Sequence, residues 1–162
     1  MAPFPDNKVV EEIQALIKLE TRHLNNADLE SWITLFADDG YYWMPLEEDQ
    51  QSPETHDSLI YDNKTLMEIR RNNLGHPLSP SMQHPVRSVR ILSDIDITSE
   101  ADNDDVIATA VVIAVINHSQ QNYYAGKVSY RFINTNTGYK IKTKRVDLIN
   151  ADAPLDIIMM YI

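Results

Sequence analysis

Apolar residues recur at helical spacing over residues 9–24. There Val9, Ile13, Leu16, Ile17 and Leu24 form one stripe, and Glu11, Glu12, Gln14, Lys18 and Arg22 face away, which predicts an amphipathic helix. Asn25-Asn26 interrupts it. A second helix is predicted from Asp28, whose carboxylate caps the start, with Leu29, Trp32, Ile33 and Phe36 on one face and Gly40 as the stop. Tyr41-Tyr42-Trp43-Met44 has no helical period, but its large residues suit a pleated surface, and Pro45 closes the run. Residues 28–45 are thus expected to turn a corner from helix into strand.

Residues 46–57 are polar, acidic and without period, and predict an exposed loop. Leu59-Ile60-Tyr61 predicts a short strand. Asp62 or Asn63 then caps a third helix running through Asn73, with Leu66, Ile69 and Asn73 on one face and Gly75 at its end. Residues 75–85 hold Pro77, Pro80 and Pro85 and predict a turned loop.

From Val86 the period becomes two. Val89, Ile91, Ile95 and Ile97 share the face expected to be buried, and Ser88, Arg90, Asp94, Asp96 and Thr98 share the other. Residues 106–116 are apolar on both faces and predict a central strand covered on both sides. Residues 123–134 and 139–150 form a further pair around Thr135-Asn136-Thr137-Gly138, with Gly138 free to take a left-handed position. Tyr139, Ile141 and Thr143 hold one phase but Val146 and Leu148 the other, so a β-bulge is predicted near Lys144. Helices segregated from a meander imply an α+β fold: N-terminal helices packed on a strongly curved antiparallel sheet, a cone whose mouth can hold a small molecule.

Composition narrows the chemistry. Length predicts one domain over residues 1–162, and a hydrophobic fraction of 43% fits a globular chain. No apolar run approaches the roughly 20 residues of a membrane helix, and residues 1–6 lack the pattern of a signal peptide, so a cytoplasmic location is expected. Cysteine is absent, which excludes disulfides, thiolate metal sites and an iron–sulfur cluster held by this chain, since even a Rieske centre takes two thiolates. The net charge of -10, from 24 acidic and 14 basic residues, argues against sequence-independent nucleic-acid binding.

Glu20 and His23 form one Glu-x-x-His pair on the first helix, the spacing of carboxylate di-iron bundles, but no second copy exists. The alternative is a partly exposed helix-end histidine. His23, His56, His76, His84 and His118 are scattered, and no metal site is specified. Acid–base chemistry inside the cone would use His84 with Asp38 or Asp39, lined by Tyr41, Tyr42, Tyr124 and Tyr130, as in cone-shaped isomerases and dehydratases. The plainer reading has the aspartates solvating a turn and His84 holding a backbone group. Lys140, Lys142 and Lys144 alternate beside Arg145 as a basic stripe, either a docking face for an acidic partner or a solvated strand face. The apolar segment Leu155-Asp156-Ile157-Ile158-Met159-Met160-Tyr161-Ile162 requires burial in the core or in a subunit interface.

Several motifs resemble the small (β) subunit of aromatic-ring-hydroxylating dioxygenases: the run from Leu29 through Tyr41, Trp43-Met44-Pro45 and Ser58-Leu59-Ile60-Tyr61-Asp62. His84-Pro85-Val86-Arg87-Ser88-Val89-Arg90, Tyr124-Ala125-Gly126-Lys127 and the run from Lys142 through Asp152 extend the likeness over nearly the whole chain. The resemblance implies a cystatin-like cone of the nuclear transport factor 2 type, and a hexamer of three large and three small subunits around a homotrimer core of small ones. It implies a large (α) subunit that carries a Rieske [2Fe-2S] cluster and mononuclear Fe(II). That subunit would cis-dihydroxylate an aromatic compound with electrons from NAD(P)H through a reductase. The small subunit would be mainly structural, so no catalytic, cofactor-binding or metal residue is carried over. The loop at 46–57 and Leu59-Ile60-Tyr61 resemble the subclass acting on benzoate-like acids. A stand-alone isomerase or dehydratase using His84 and an aspartate, or a module binding a small apolar ligand, are the alternatives.

Overall fold

A computed structural model of the chain describes residues 4–74, 78, 85–100 and 102–162. The order is α1 (Asn7–Asn25), α2 (Leu29–Ile33), β1 (Phe36–Pro45), β2 (Ser58–Asn63), α3 (Lys64–Leu74), β3 (Arg87–Ser99), β4 (Val106–His118), β5 (Gln120–Thr135) and β6 (Gly138–Leu148). The six strands form one sheet in the order β2-β1-β6-β5-β4-β3. The expected meander is present from β3 to β6, but β1 runs parallel to β6, so the sheet is mixed rather than wholly antiparallel.

The first helix forms as its stripe predicts. Ile13, Ile17 and Leu24 are fully buried, and Val9 and Leu16 pack at the margin. Asp28 caps α2 by accepting from the Ser31 N–H at 3.0 Å. That helix is shorter than the pattern implies: it ends at Ile33, and Phe36 already belongs to β1. Gly40 does not stop a helix, because it lies inside the strand, where a Cβ would stand 2.7 Å from the Ile141 carbonyl oxygen. The tertiary pairing Phe36↔Ile141 overrides the local helical period, and residues 37–40 bulge before pairing resumes at Tyr41↔Thr143.

Asn63 caps α3, its side chain accepting from the Leu66 N–H at 3.0 Å. The face turned to the core is that of Met67; Leu66 and Ile69, expected inward, are 44% and 50% exposed. Gly75 and most of the proline-rich loop lie outside the described residues.

β3 reverses its expected phase for most of its length. The stretch from Ser93 to Asp96 pairs against Val111 to Thr109, three steps against two, with Asp94 at φ 55°. That extra residue switches faces: Ser88, Arg90 and Leu92 point inward before it and Ile97 after it, leaving Val89 and Ile91 outside. The predicted bulge in β6 exists two residues earlier, at Lys142, since Arg131↔Thr143 is followed by Phe132↔Ile141. Beyond it Lys144, Val146 and Leu148 all face the core. Gly138 closes the β5–β6 turn at φ 106°.

All three helices pack on the face of the sheet that carries Tyr42, Ala108, Ala110, Val128, Tyr130 and Phe132. The opposite face carries the loop at 46–57 over Trp43, which is 3% exposed, but among the described residues no helix packs on β4 there, and Val111 and Ile113 are exposed. The loop at 46–57 is more ordered than its composition suggests. The Gln50 side chain, 5% exposed, accepts from the Leu46 and Glu47 N–H groups and donates to the Asp57 carbonyl.

Candidate functional site: the filled interior and the bare outer face

Between helices and sheet lies a polar cluster in apolar surroundings. Glu20 falls in register with Ile13, Ile17 and Leu24 and is only 1% exposed. Its Oε1 accepts from the Trp32 indole at 2.6 Å and from the Lys144 ammonium at 2.7 Å, and its Oε2 accepts from the Tyr130 hydroxyl at 3.2 Å. Lys144 Nζ also stands 5.5 Å from the centre of the Tyr130 ring. Burial lowers the Lys144 pKa against the opposing pull of Glu20, and burial raises that of Tyr130 well above its usual range.

The interior above this cluster is filled by the chain itself. Of the apolar segment, Met160, Tyr161 and Ile162 are buried in the core, whereas Ile157 is 84% exposed. The Tyr161 ring stacks on Trp32 at 4.5 Å and meets the edge of Tyr42 at 4.7 Å. Its hydroxyl donates to Asp62 Oδ2 at 2.6 Å and accepts from Arg70 Nε at 3.1 Å, while Arg70 pairs with Asp62 at 2.8 Å. Arg90, 6% exposed, donates to the Tyr161 carbonyl, to Asn25 and to Ser88, and its buried Nε has no partner among the described residues. Burial raises the pKa of Tyr161 and of Tyr42.

The described members of the candidate acid–base set do not converge. Asp38 is exposed beside Lys64, and Asp39 is ion-paired with Lys142. Tyr41 lies on the outer face against Tyr61, whereas Tyr42 and Tyr130 are sealed in the core. His84 lies outside the described residues, as does His76. Glu20 and His23 do not share a site, since His23 pairs with Asp28 at 3.4 Å. Among the described residues no group of three His, Asp or Glu side chains is placed to hold a metal ion.

The basic stripe is split by the bulge. Lys144 goes inward, Lys140 donates to the Thr34 carbonyl at 2.8 Å, and Lys142 serves Asp39. Arg145 lies over Trp43 at 4.4 Å, grips Asp147, and donates to the Gln50 and Glu48 carbonyls at 2.6 and 2.7 Å. Trp43, Lys142 and Arg145 line an open depression of about 510 Å³ on the outer face, with Tyr41, Arg131 and Ile133 around it. Beside it the same face turns apolar: Val89 pairs with Val115, Ile91 with Ile113 and Val115 with Tyr123. Val89, Ile91, Ile113 and Tyr123 are each at least half exposed, a contiguous patch of the kind that marks an interaction surface.

Comparison with known proteins agrees with this architecture. A family model described as "Ring hydroxylating beta subunit" matches residues 19–153. The toluate 1,2-dioxygenase subunit beta of Pseudomonas putida is 26% identical over 97 residues, which span 57% of this chain and 60% of that relative. Among solved structures, the beta subunit of the benzoate 1,2-dioxygenase of Burkholderia mallei superposes with TM-score 0.67 at 22% identity, covering 97% of this chain and 98% of its own. Naphthalene 1,2-dioxygenase with indole bound in the active site gives TM-score 0.74 at 13% identity, covering 98% and 88%. The two structural likenesses speak to the fold, and the family model, spanning most of the chain, speaks to descent. The chain belongs to the ring hydroxylating beta subunit family.

Proposed function

We propose that this chain is the structural small subunit of the terminal oxygenase of a multicomponent aromatic-ring-hydroxylating dioxygenase. Its residues act as a single domain that supports cis-dihydroxylation of a benzoate-like aromatic acid by a large subunit. On this reading the Rieske cluster and mononuclear iron sit on the large subunit and electrons arrive from NAD(P)H through a reductase, in the cytoplasm. The chain supplies no catalytic, cofactor or metal residue. Its copies meet as a homotrimer at the centre of a hexamer with three large subunits.

The observation that carries this reading is the contrast between the two sheet faces. The inward face is closed by the chain's own Tyr161, and the outward face leaves Val89, Ile91, Ile113 and Tyr123 in water. A fold of this type acting alone as an enzyme needs the interior open; one acting as a subunit needs an outer surface to bury. Support also comes from the missing thiols, because this chain has no cysteine to offer a Rieske centre. The stand-alone isomerase or dehydratase reading would require a cavity where Tyr42, Tyr130 and Tyr161 are packed together.

The test is to purify the chain alone and together with a co-expressed Rieske-type large subunit from the same source. The expected result is a chain that self-associates, binds no iron, turns over no arene alone, and restores oxygenase activity when the large subunit is present. Stoichiometric iron in the isolated chain, or full activity of the large subunit without it, would overturn the proposal.

A further inference from the structure

We propose that the space held by Tyr161 is a phenol-binding site which the chain occupies with its own side chain, and that a free para-substituted phenol takes this seat once the ring at residue 161 is removed. The seat reads both ends of its occupant. Trp32 presents its face, 22° from parallel with the ring, Tyr42 closes one edge at 60°, and the Arg70 guanidinium covers the ring 5.4 Å from its centre. At the far end Asp62, 6% exposed, takes a hydrogen bond from the hydroxyl, and Arg70 gives one to the same oxygen. An acceptor and a donor aimed at one atom select a group that both donates and accepts. A ring carboxylate would meet the Asp62 carboxylate, and a bare hydrocarbon would leave both polar groups without their third partner.

Tyr161 fills the seat as a tethered ligand rather than as part of the sheet. Residues 155–162 pair with no strand, and around Tyr161 they are held by side chains: Arg90 on the Tyr161 carbonyl and the Tyr42 hydroxyl on the Ile162 N–H at 3.3 Å. A shallow cavity of about 240 Å³, lined by Leu59, Ile60, Arg70 and residues 155–158, adjoins the polar end and offers an approach to it. The ligand class is therefore a neutral phenol whose para substituent replaces the Tyr161 Cβ.

The experiment uses the full-length Tyr161→Gly variant and 4-methylphenol, with toluene and 4-methylbenzoate as controls. Binding is followed by thermal denaturation, titration calorimetry and Trp32 fluorescence. The expected result is a Tm below that of the wild type, raised by several degrees in millimolar 4-methylphenol. One molecule should bind per chain, at least about tenfold tighter than either control. Adding Asp62→Asn should remove the preference for the phenol over toluene, and the wild type, its seat taken, should not respond. A folded variant that ignores 4-methylphenol, or takes toluene equally well, overturns the proposal. Should Tyr161→Gly fail to fold unaided, refolding with 4-methylphenol but not with toluene must recover it; failure in both, or recovery in both, also overturns it. Assembly with a large subunit plays no part in these readouts, so a negative result leaves the subunit reading intact.

Discussion

The indole N–H of Trp32 reaches across to the Glu20 carboxylate at 2.6 Å and fastens α2 to α1 at the point where Lys144 of β6 joins the same oxygen. One buried acid thereby gathers two helices and the last strand. Its charge is compensated only while all its partners hold.

Replacing Glu20 with Gln strands the Lys144 ammonium among Tyr42 and Tyr130, and breaking a buried pair in this way costs about 3–5 kcal/mol. Urea denaturation should show that loss for Glu20→Gln and for Lys144→Met alone. The double variant Glu20→Gln with Lys144→Met should recover most of it, because the uncompensated charge is gone. Equal and additive losses would show that the pair is not coupled.

Alkaline pH should unfold the chain through its buried tyrosines. Tyr42, Tyr130 and Tyr161 have raised folded-state pKa values, so the stability they contribute is present below the ordinary value of 10.0 and is lost as pH climbs above it. Lys144 works in the opposite sense, since its lowered folded value means that stability grows as pH rises towards 10.5, where the unfolded chain sheds the same proton. Absorbance at 295 nm should therefore show a group of tyrosines that ionise only together with the loss of near-ultraviolet circular dichroism. Smooth ionisation of all the tyrosines near pH 10 with the fold intact would contradict the burial.

Gly40→Ala should destabilise by about 1–3 kcal/mol, because the new methyl group would press on the Ile141 carbonyl at 2.7 Å and that backbone belongs to the parallel β1–β6 pairing. Thermal denaturation measures it. A neutral outcome would mean that the strand can open there without losing Phe36↔Ile141.

Ile113→Asp addresses the outer face. The side chain is 50% exposed, so the isolated chain should keep its fold within about 0.5 kcal/mol. Self-association by analytical ultracentrifugation should fall sharply if the apolar patch is the interface. Unchanged association would move the interface elsewhere.

Much of this architecture was visible in residue patterns. The first helix, the Asp28 and Asn63 caps, the meander, the turn at Gly138 and a bulge in β6 follow from local chemistry. The buried pair of Glu20 and Lys144 was missed, although a signal for it exists: Glu20 sits on the stripe of Ile13, Ile17 and Leu24, and Lys144 shares its phase with Val146 and Leu148. What local pattern could not show depends on partners distant in sequence. Phe36 joins a strand because Ile141 is there to pair with it, and Val89 and Ile91 turn outward because one extra residue near Asp94 shifts the register. The seat of Tyr161 had no periodic signal at all, because residues 155–162 belong to no regular element.

The parallel pairing of β1 with β6 sets residue 43 beside residue 145. A chain emerging from the ribosome must therefore hold its early strand in waiting until residue 145 has been made. Helices α1 and α2 can form at once, but the sheet's middle closes last, and closure over so long a separation is slow. Until then the β6-facing edge of β1 and the aromatic surface around Trp43 stand open to other chains. For this protein the hazardous interval of its life is its synthesis, when early arrival of a partner copy or a chaperone would matter most.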